Sequence, residues 1–282
     1  MMPKHNQFIK KLQSKFLSIN NSLENFFNNI KSWKSIVRKT KLTQNSKVIL
    51  VLGISVILIL SYFLIPTFYD KDQIQTRIQS QIFKNYNIEI KFEEKINYSL
   101  LPKPHFVAKN LIILRKGKEI GVVKNFKVFI AANKFFSKNN FVAKDLVFKN
   151  TDFNLYKDDL IFFRDLLKTE PSDNKIVFKN SNIFLKDSYD ETLLINKIKK
   201  SEFYYDSYNL VNVFSSENEI FNLPYKLVIK NDKFNKLVNS RFNSKKIRLN
   251  IENILYYDEK IKNGLLDILF INKTTSLNYE IK

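Results

Sequence analysis

After Lys47 the chain runs VILVLGISVILILSYFLIP, and no charged residue occurs between Val48 and Tyr69. A helix of that length at 1.5 Å per residue is about 30 Å long, the thickness of a bilayer core. A helix that is apolar on every side needs either lipid or a large protein around it. The rest of the chain is patterned half apolar and half polar, so the segment reads as one transmembrane helix over 47–69. It is too long, and lies too far from the N-terminus, for a cleaved signal peptide, and it has no small-x-small cleavage site. Tyr62, Phe63, Phe68 and Tyr69 suit an aromatic belt at its outer end.

The flanks give an orientation. Lys31, Lys34, Arg38, Lys39, Lys41 and Lys47 precede the span, whereas Asp70, Lys71 and Asp72 nearly cancel after it. The positive-inside rule places 1–46 in the cytoplasm and 70–282 outside it, which is the periplasm if the source has two membranes. Within the N-terminal arm, Phe8, Leu12, Phe16, Ile19, Leu23, Phe26 or Phe27, Ile30, Trp33 and Val37 recur every three or four residues. That spacing is an amphipathic helix with a basic opposite face. It suits a helix on an anionic leaflet, a short coiled coil with a second copy, or a loosely structured extension.

Beyond the span, Ile74, Ile78 and Ile82 fall one turn apart and predict a helix over 70–86, capped by Asp70 or Asp72. The period then becomes two: Ile88, Ile90 and Phe92; Phe126, Val128 and Ile130; Tyr225, Leu227 and Ile229; Ile247, Leu249 and Ile251; Leu266, Ile268 and Phe270; Leu277, Tyr279 and Ile281. Such alternation makes strands with one apolar and one wet face. Turn residues separate them at Lys116-Gly117, Asn139-Asn140, Asp173-Asn174, Asp187, Asn231-Asp232 and Asn263-Gly264. DDLIFFRDLLK, 158–168, is the one later helical stretch, with Asp158 as its cap. There are two echoes: FVAKNLIIL (106–114) by FVAKDLVFK (141–149), and VFKNTDFNLY (147–156) by VFKNSNIFLK (177–186). They suggest stacked units, or chance repetition in a narrow alphabet.

A mainly β domain with few helices must bury its apolar face. It can close as a β-sandwich, or curl into an elongated antiparallel gutter that holds lipid chains. The lining of such a gutter would be Ile88, Ile90, Phe92, Phe126, Val128, Ile130, Leu227, Ile229, Leu249, Ile251, Ile268 and Phe270. Roughly fourteen strands at about 4.8 Å spacing would make it roughly 65 Å long.

Composition narrows the chemistry. With no cysteine there is no thiolate nucleophile or metal ligand. The net charge of +20 is spread along the chain rather than clustered with aromatics, which argues against nucleic acid. His5 and His105 lie on opposite sides of the span, and His105 follows Pro104 as a surface turn residue. The pairs Glu93-Glu94 and Asp158-Asp159 do not converge for acid/base work. Four scattered glycines make no phosphate loop. No catalytic, cofactor or metal site is therefore expected, and the oligomeric state is left open.

The order of features resembles the N-terminal region of the AsmA family, related to TamB and more distantly to the chorein-type bridge proteins. A span is followed by YDKDQIQTRIQSQIF, then NYNIEIKFEEKINYSLLPKPHF, FVAKNLIIL, VKNFKVFIA and the echo FVAKDLVFKNTDFNLY. The resemblance covers about 69–167, and its most specific element is the turn with Ser99, Pro102 and Pro104. Family glycines are replaced by Asn85, Asn87 and Glu93 or Glu94, and Asn tolerates left-handed backbone. The resemblance implies an inner-membrane-anchored periplasmic protein of outer-membrane biogenesis that passes phospholipid along an apolar groove. A non-catalytic scaffold or regulator of envelope assembly proteins is the alternative.

Overall fold

The computed structural model describes residues 44–131, 143–168, 170, 174–257 and 262–281. The amphipathic arm from Phe8 to Val37 and the Asn139-Asn140 turn lie outside these residues. The chain forms two compact units, Met1–Ser61 and Tyr62–Lys282. Helix α1, Gln44–Leu64, continues as a 3-10 turn, Ile65–Phe68. Together they hold Val48–Phe68, which has a mean hydropathy of 3.0 and is long and apolar enough to cross a membrane.

Helix α2, Lys71–Tyr86, forms where the isoleucine spacing predicts it. The Asp70 carboxylate accepts from the amides of Asp72 at 2.9 Å and Gln73 at 3.2 Å, satisfying two orphan donors. Asn87 ends the helix in left-handed backbone, φ 54°. Ile74, Ile78, Ile82 and Tyr86 all face inward and are buried.

The rest is mainly one sheet of thirteen strands: β1 (Glu89–Phe92), β2 (Asn97–Ser99), β3 (His105–Arg115), β4 (Lys118–Ile130), β5 (Ala143–Tyr156), β6 (Lys175–Lys186), β7 (Thr192–Asp206), β8 (Val211–Ile220), β9 (Leu223–Asp232), β10 (Leu237–Ser244), β11 (Leu249–Tyr257), β12 (Lys262–Phe270) and β13 (Lys273–Ile281). The order is β1-β3-β4 and then sequential to β13, with β2 also pairing β3. A single sheet open at both edges replaces the sandwich alternative. Twelve strands abreast at about 4.8 Å make it about 50 Å wide, shorter than the sequence suggested.

The sheet is not wholly antiparallel. β5 and β6 run parallel, with Val147 opposite Val177, Phe148 opposite Phe178 and Leu155 opposite Leu185. That register is the 30-residue offset of the second echo, so the repeated segments lie side by side. The Phe148 and Phe178 rings stack at 4.9 Å. Asn150 and Asn180 hold left-handed backbone at φ 55° and 50°, as does Asn110 in β3 at 51°. Pairing skips each of them with the register unchanged on either side, so one line of interruptions crosses the sheet. The intervening chain carries a 3-10 turn, Lys157–Leu160, and helix α3, Ile161–Leu167. Parallel neighbours require such a crossover.

Several local expectations change. Lys116-Gly117 does turn β3 into β4, both residues at positive φ. Asn231-Asp232 instead end β9, Ile247 lies in the turn before β11, and Asn263-Gly264 lie inside β12. Gly264 is there because a Cβ would strike the Tyr279 ring that crosses it. The stretch 87–98 is divided into β1 and β2, both laid along β3. Pro102 and Pro104 form the corner after Ser99, and the Ile130 amide donates to the Pro104 carbonyl at 3.4 Å.

His105 is not a surface residue. It opens β3, is 1% exposed, stacks on Phe129 and donates from Nδ1 to the Lys103 carbonyl at 2.6 Å. Burial lowers its pKa below the ordinary 6.5, the Lys103 bond opposes this, and nearby Lys127 adds to the lowering. The fold therefore favours neutral imidazole, so stability is full above pH 6.5 and falls as pH drops below it. Urea midpoints at about pH 7.5 and about pH 5.5 should differ in the native protein, and His105→Gln should narrow that difference. The line of left-handed asparagines is checked separately by chemical denaturation. Asn180→Val should lose roughly 1–2 kcal/mol for a β-branched residue in left-handed backbone, and Asn180→Gly should be nearly neutral.

Candidate groove on the apolar face

Cross-strand register puts the alternating apolar residues on one face. One row runs from Ala108 through Phe126, Phe148 and Phe178 to Ser201 and Ser216, and continues through Leu227, Phe242, Ile251 and Ile268. The adjacent row carries Val128, Leu146, Ile176, Phe203, Phe214 and Ile229. The same face includes Ile90 and Phe92, through Ile113 and Leu111, and Leu249 opposite Phe270.

Cover divides this face in two. Over β1 to β6, Ile88, Ile90, Phe126, Val128 and Ile130 are buried in one core cluster with the α2 isoleucines, and Phe92 packs against it. These residues fill a core rather than line an open groove, because α2 takes the space that a ligand would need. From β8 onward the face opens. Leu227 and Ile229 line a cavity of about 900 Å³. Leu249, Ile251 and Ile268 are half-buried farther along, and Phe270 is 48% exposed.

The roof of this cavity comes from α3. Phe162 and Leu166 point into the core, while Phe163, Arg164, Leu167 and Lys168 line the cavity. Asp159, rather than Asp158, organises the start of the crossover. Its carboxylate accepts from the Tyr156 amide and Lys118 Nζ, both at 3.1 Å, and from Arg115 at 3.4 Å. Burial pushes its pKa up, but the Tyr156 amide, Lys118 and Arg115 outweigh that and hold it below the usual carboxylate range. At the other end, the Leu167 carbonyl accepts from Asn231 Nδ2 at 3.0 Å and Asn212 Nδ2 at 3.3 Å. Two floor strands thus satisfy an orphan helix carbonyl and pin the roof in place.

The floor is apolar with paired polar rungs. Tyr257 Oη donates to Asn231 Oδ1 at 3.1 Å, Tyr225 Oη to Asn196 Oδ1 at 3.0 Å, and Ser216 Oγ to Asn218 Oδ1 at 2.7 Å. Such pairing keeps polar groups from competing for a ligand and lowers the cost of burying them. A second cavity of about 730 Å³ shares Ile198, Asn218 and Tyr225 with the first and is ringed by Lys and Asn. The larger volume lies near the top of the range for small-molecule sites, about 300–1,000 Å³.

Sequence reasoning found Leu227 and Ile229 and missed the α3 residues and Phe214. The inward positions of β8 read Asn212, Phe214, Ser216 and Asn218, so polar rungs hide the alternation. Among the described residues no cluster of three or more His, Cys, Asp or Glu could hold a metal ion. The chain matches no family model and no curated protein.

A charge scan separates the two halves of the face. Val128→Asp should unfold the domain, since an unpaired charge in a filled core costs several kcal/mol. Ile251→Asp should shift stability by about 1 kcal/mol or less, because its carboxylate reaches water. Circular dichroism of the full chain in detergent during urea unfolding checks both.

Proposed function

We propose that this chain is a membrane-tethered, non-catalytic lipid-handling protein that shields acyl chains on the open half of its sheet. The observation that carries the reading is the cavity of about 900 Å³ between α3 and the floor of β8 to β11. It is large, mostly apolar, continuous with a half-buried apolar surface, and roofed rather than filled. Hydrocarbon needs such a site because shielding it from water gains about 25 cal/mol per Å². The apolar span supplies a tether beside a source of lipid. The charge flanks favour a cytoplasmic N-terminus with the sheet in the periplasm.

The resemblance of 69–167 to the AsmA family supports the same reading. On it the protein belongs to the inner membrane and serves envelope or outer-membrane biogenesis. Left-handed Asn87 takes a backbone role that the family gives to glycine. An open stretch of about 25 Å, the six strands β8 to β13, suits a shuttle, an adaptor or one segment of a larger assembly rather than a lone bridge. The second reading, a scaffold for envelope assembly proteins, draws on β13, whose free edge is flanked by exposed Leu277 and Ile281. An unpaired edge strand is a template for another chain.

Photo-crosslinking in cells separates the readings. A benzoylphenylalanine at Ile229 should label phosphate-labelled phospholipid, and one at Val228, on the opposite face, should not. Protein adducts at Ile229 without lipid would favour the scaffold. Equal lipid labelling at both positions would mean that the groove has no special part in it.

A further inference from the structure

We infer that the open groove selects an anionic amphiphile, a lipid with a long hydrocarbon tail and a negatively charged headgroup, over a zwitterionic one. This rests on the lipid-handling reading and adds the sign of the headgroup. Four cations, Arg164, Lys168, Lys233 and Lys262, line the apolar cavity, and among the described residues no Asp or Glu does. The first two stand on α3 or directly after it, Lys233 follows β9, and Lys262 opens β12. They converge from three parts of the fold at the same side of the groove, where β9 ends and β12 begins.

The described acids are weakly placed to neutralise Arg164, Lys168 and Lys262. Arg164 meets its neighbour Asp165 at 3.3 Å, and Lys233 meets Glu170 at 3.8 Å across an acid that is 93% exposed. Lys168 and Lys262 have no acidic partner within ion-pair distance among the described residues. Lys and Arg stems can lie on apolar surface while their heads stay in water. A tail on Leu227, Ile229 and Phe214 would therefore bring its headgroup to the charged tips. A phosphate or carboxylate there gains charge-assisted hydrogen bonds. The extra ammonium of a zwitterionic headgroup would meet like charge instead.

The test uses the full chain in non-ionic detergent with benzoylphenylalanine at Ile229, and equimolar phosphatidylglycerol and phosphatidylcholine of identical tails. Mass spectrometry reads the ratio of the two adducts within one sample, so loss of folded protein lowers both and leaves the ratio unchanged. Phosphatidylglycerol should be favoured roughly tenfold, the effect of two or three partly exposed charge contacts. The triple variant Arg164→Gln, Lys168→Gln, Lys262→Gln should still label lipid but bring the ratio close to one. The control neutralises Lys109, Lys149 and Lys179, exposed on the opposite face, and should leave the ratio as it was. Equal labelling by the two lipids in the native chain overturns the charge selection and leaves the lipid-handling reading standing. If the control variant loses the preference as much as the groove variant does, general attraction to a +20 chain explains it and the inference fails. If Ile229 labels neither lipid, both readings fall together.

Discussion

A sheet whose face is apolar across twelve neighbouring strands must have that face covered, and everything else here follows from how little cover there is. Among the described residues two helices do the work. α2 brings four inward side chains, Ile74, Ile78, Ile82 and Tyr86, onto the first strands. α3 has seven residues and two buried side chains, Phe162 and Leu166. Each strand adds apolar surface, and the helices do not keep pace. Residues of β3 to β6 on this face are nearly all buried, while the apolar residues of β9 to β13 are half-buried or exposed. The N-terminal part therefore supplies most of the folding free energy, and the C-terminal part presents surface.

The parallel pair explains why the change falls where it does. Hairpins alone would have laid β6 antiparallel to β5 and left no chain to roof the face. Because VFKN recurs after 30 residues in the same strand sense, Phe148 finds Phe178 and Asp152 finds Asn182, with a side-chain hydrogen bond of 2.8 Å. The chain has to return to the start of β5 to begin β6, and that return carries α3. Repeat, parallel register and roof are three aspects of one crossover. Asp159 ties its start to Arg115 and Lys118 around the β3–β4 turn, and Asn212 and Asn231 tie its end to β8 and β9. The roof is held at both ends by polar contacts, which leaves Phe163 and Leu167 over the cavity.

Much of this was legible in residue order. The isoleucine spacing, the Asp70 cap and the Lys116-Gly117 turn are local signals, and each stands where it was read. Period two identified the shared face correctly, since Phe126, Leu227, Ile251 and Ile268 fall in one cross-strand row. It could not say which part of the face is covered, because cover comes from helices distant in sequence. That is why Val128 and Ile229 looked alike and are not: one is core and the other lines a cavity. Asn263-Gly264 looked like a turn because glycine usually marks one. Here it makes room for Tyr279, whose hydroxyl donates to Asn253 Oδ1 at 2.8 Å. His105 looked exposed because it follows proline, yet the stacking Phe129 comes from the next strand.

The composition of the floor argues that the opening belongs to the design of the sheet. If β8 to β13 merely lacked a cover, continued Phe and Ile on the inward face would be a strong aggregation hazard. The row instead turns polar at Ser201 and Ser216 before returning to Leu227, and its neighbour passes from Ile229 to Ser240 and Asn253. The outermost strand follows the same course, with Lys273, Thr274, Thr275 and Ser276 at its start. Paired rungs such as Tyr225 with Asn196 supply hydrogen bonds that a dry core would have no use for. A face that is apolar enough to hold hydrocarbon and polar enough to stand in water is a compromise between two solvents. The cations Lys168 and Lys262 at its margin make the same compromise, since such side chains lay apolar stems on the groove while their charged ends stay in water.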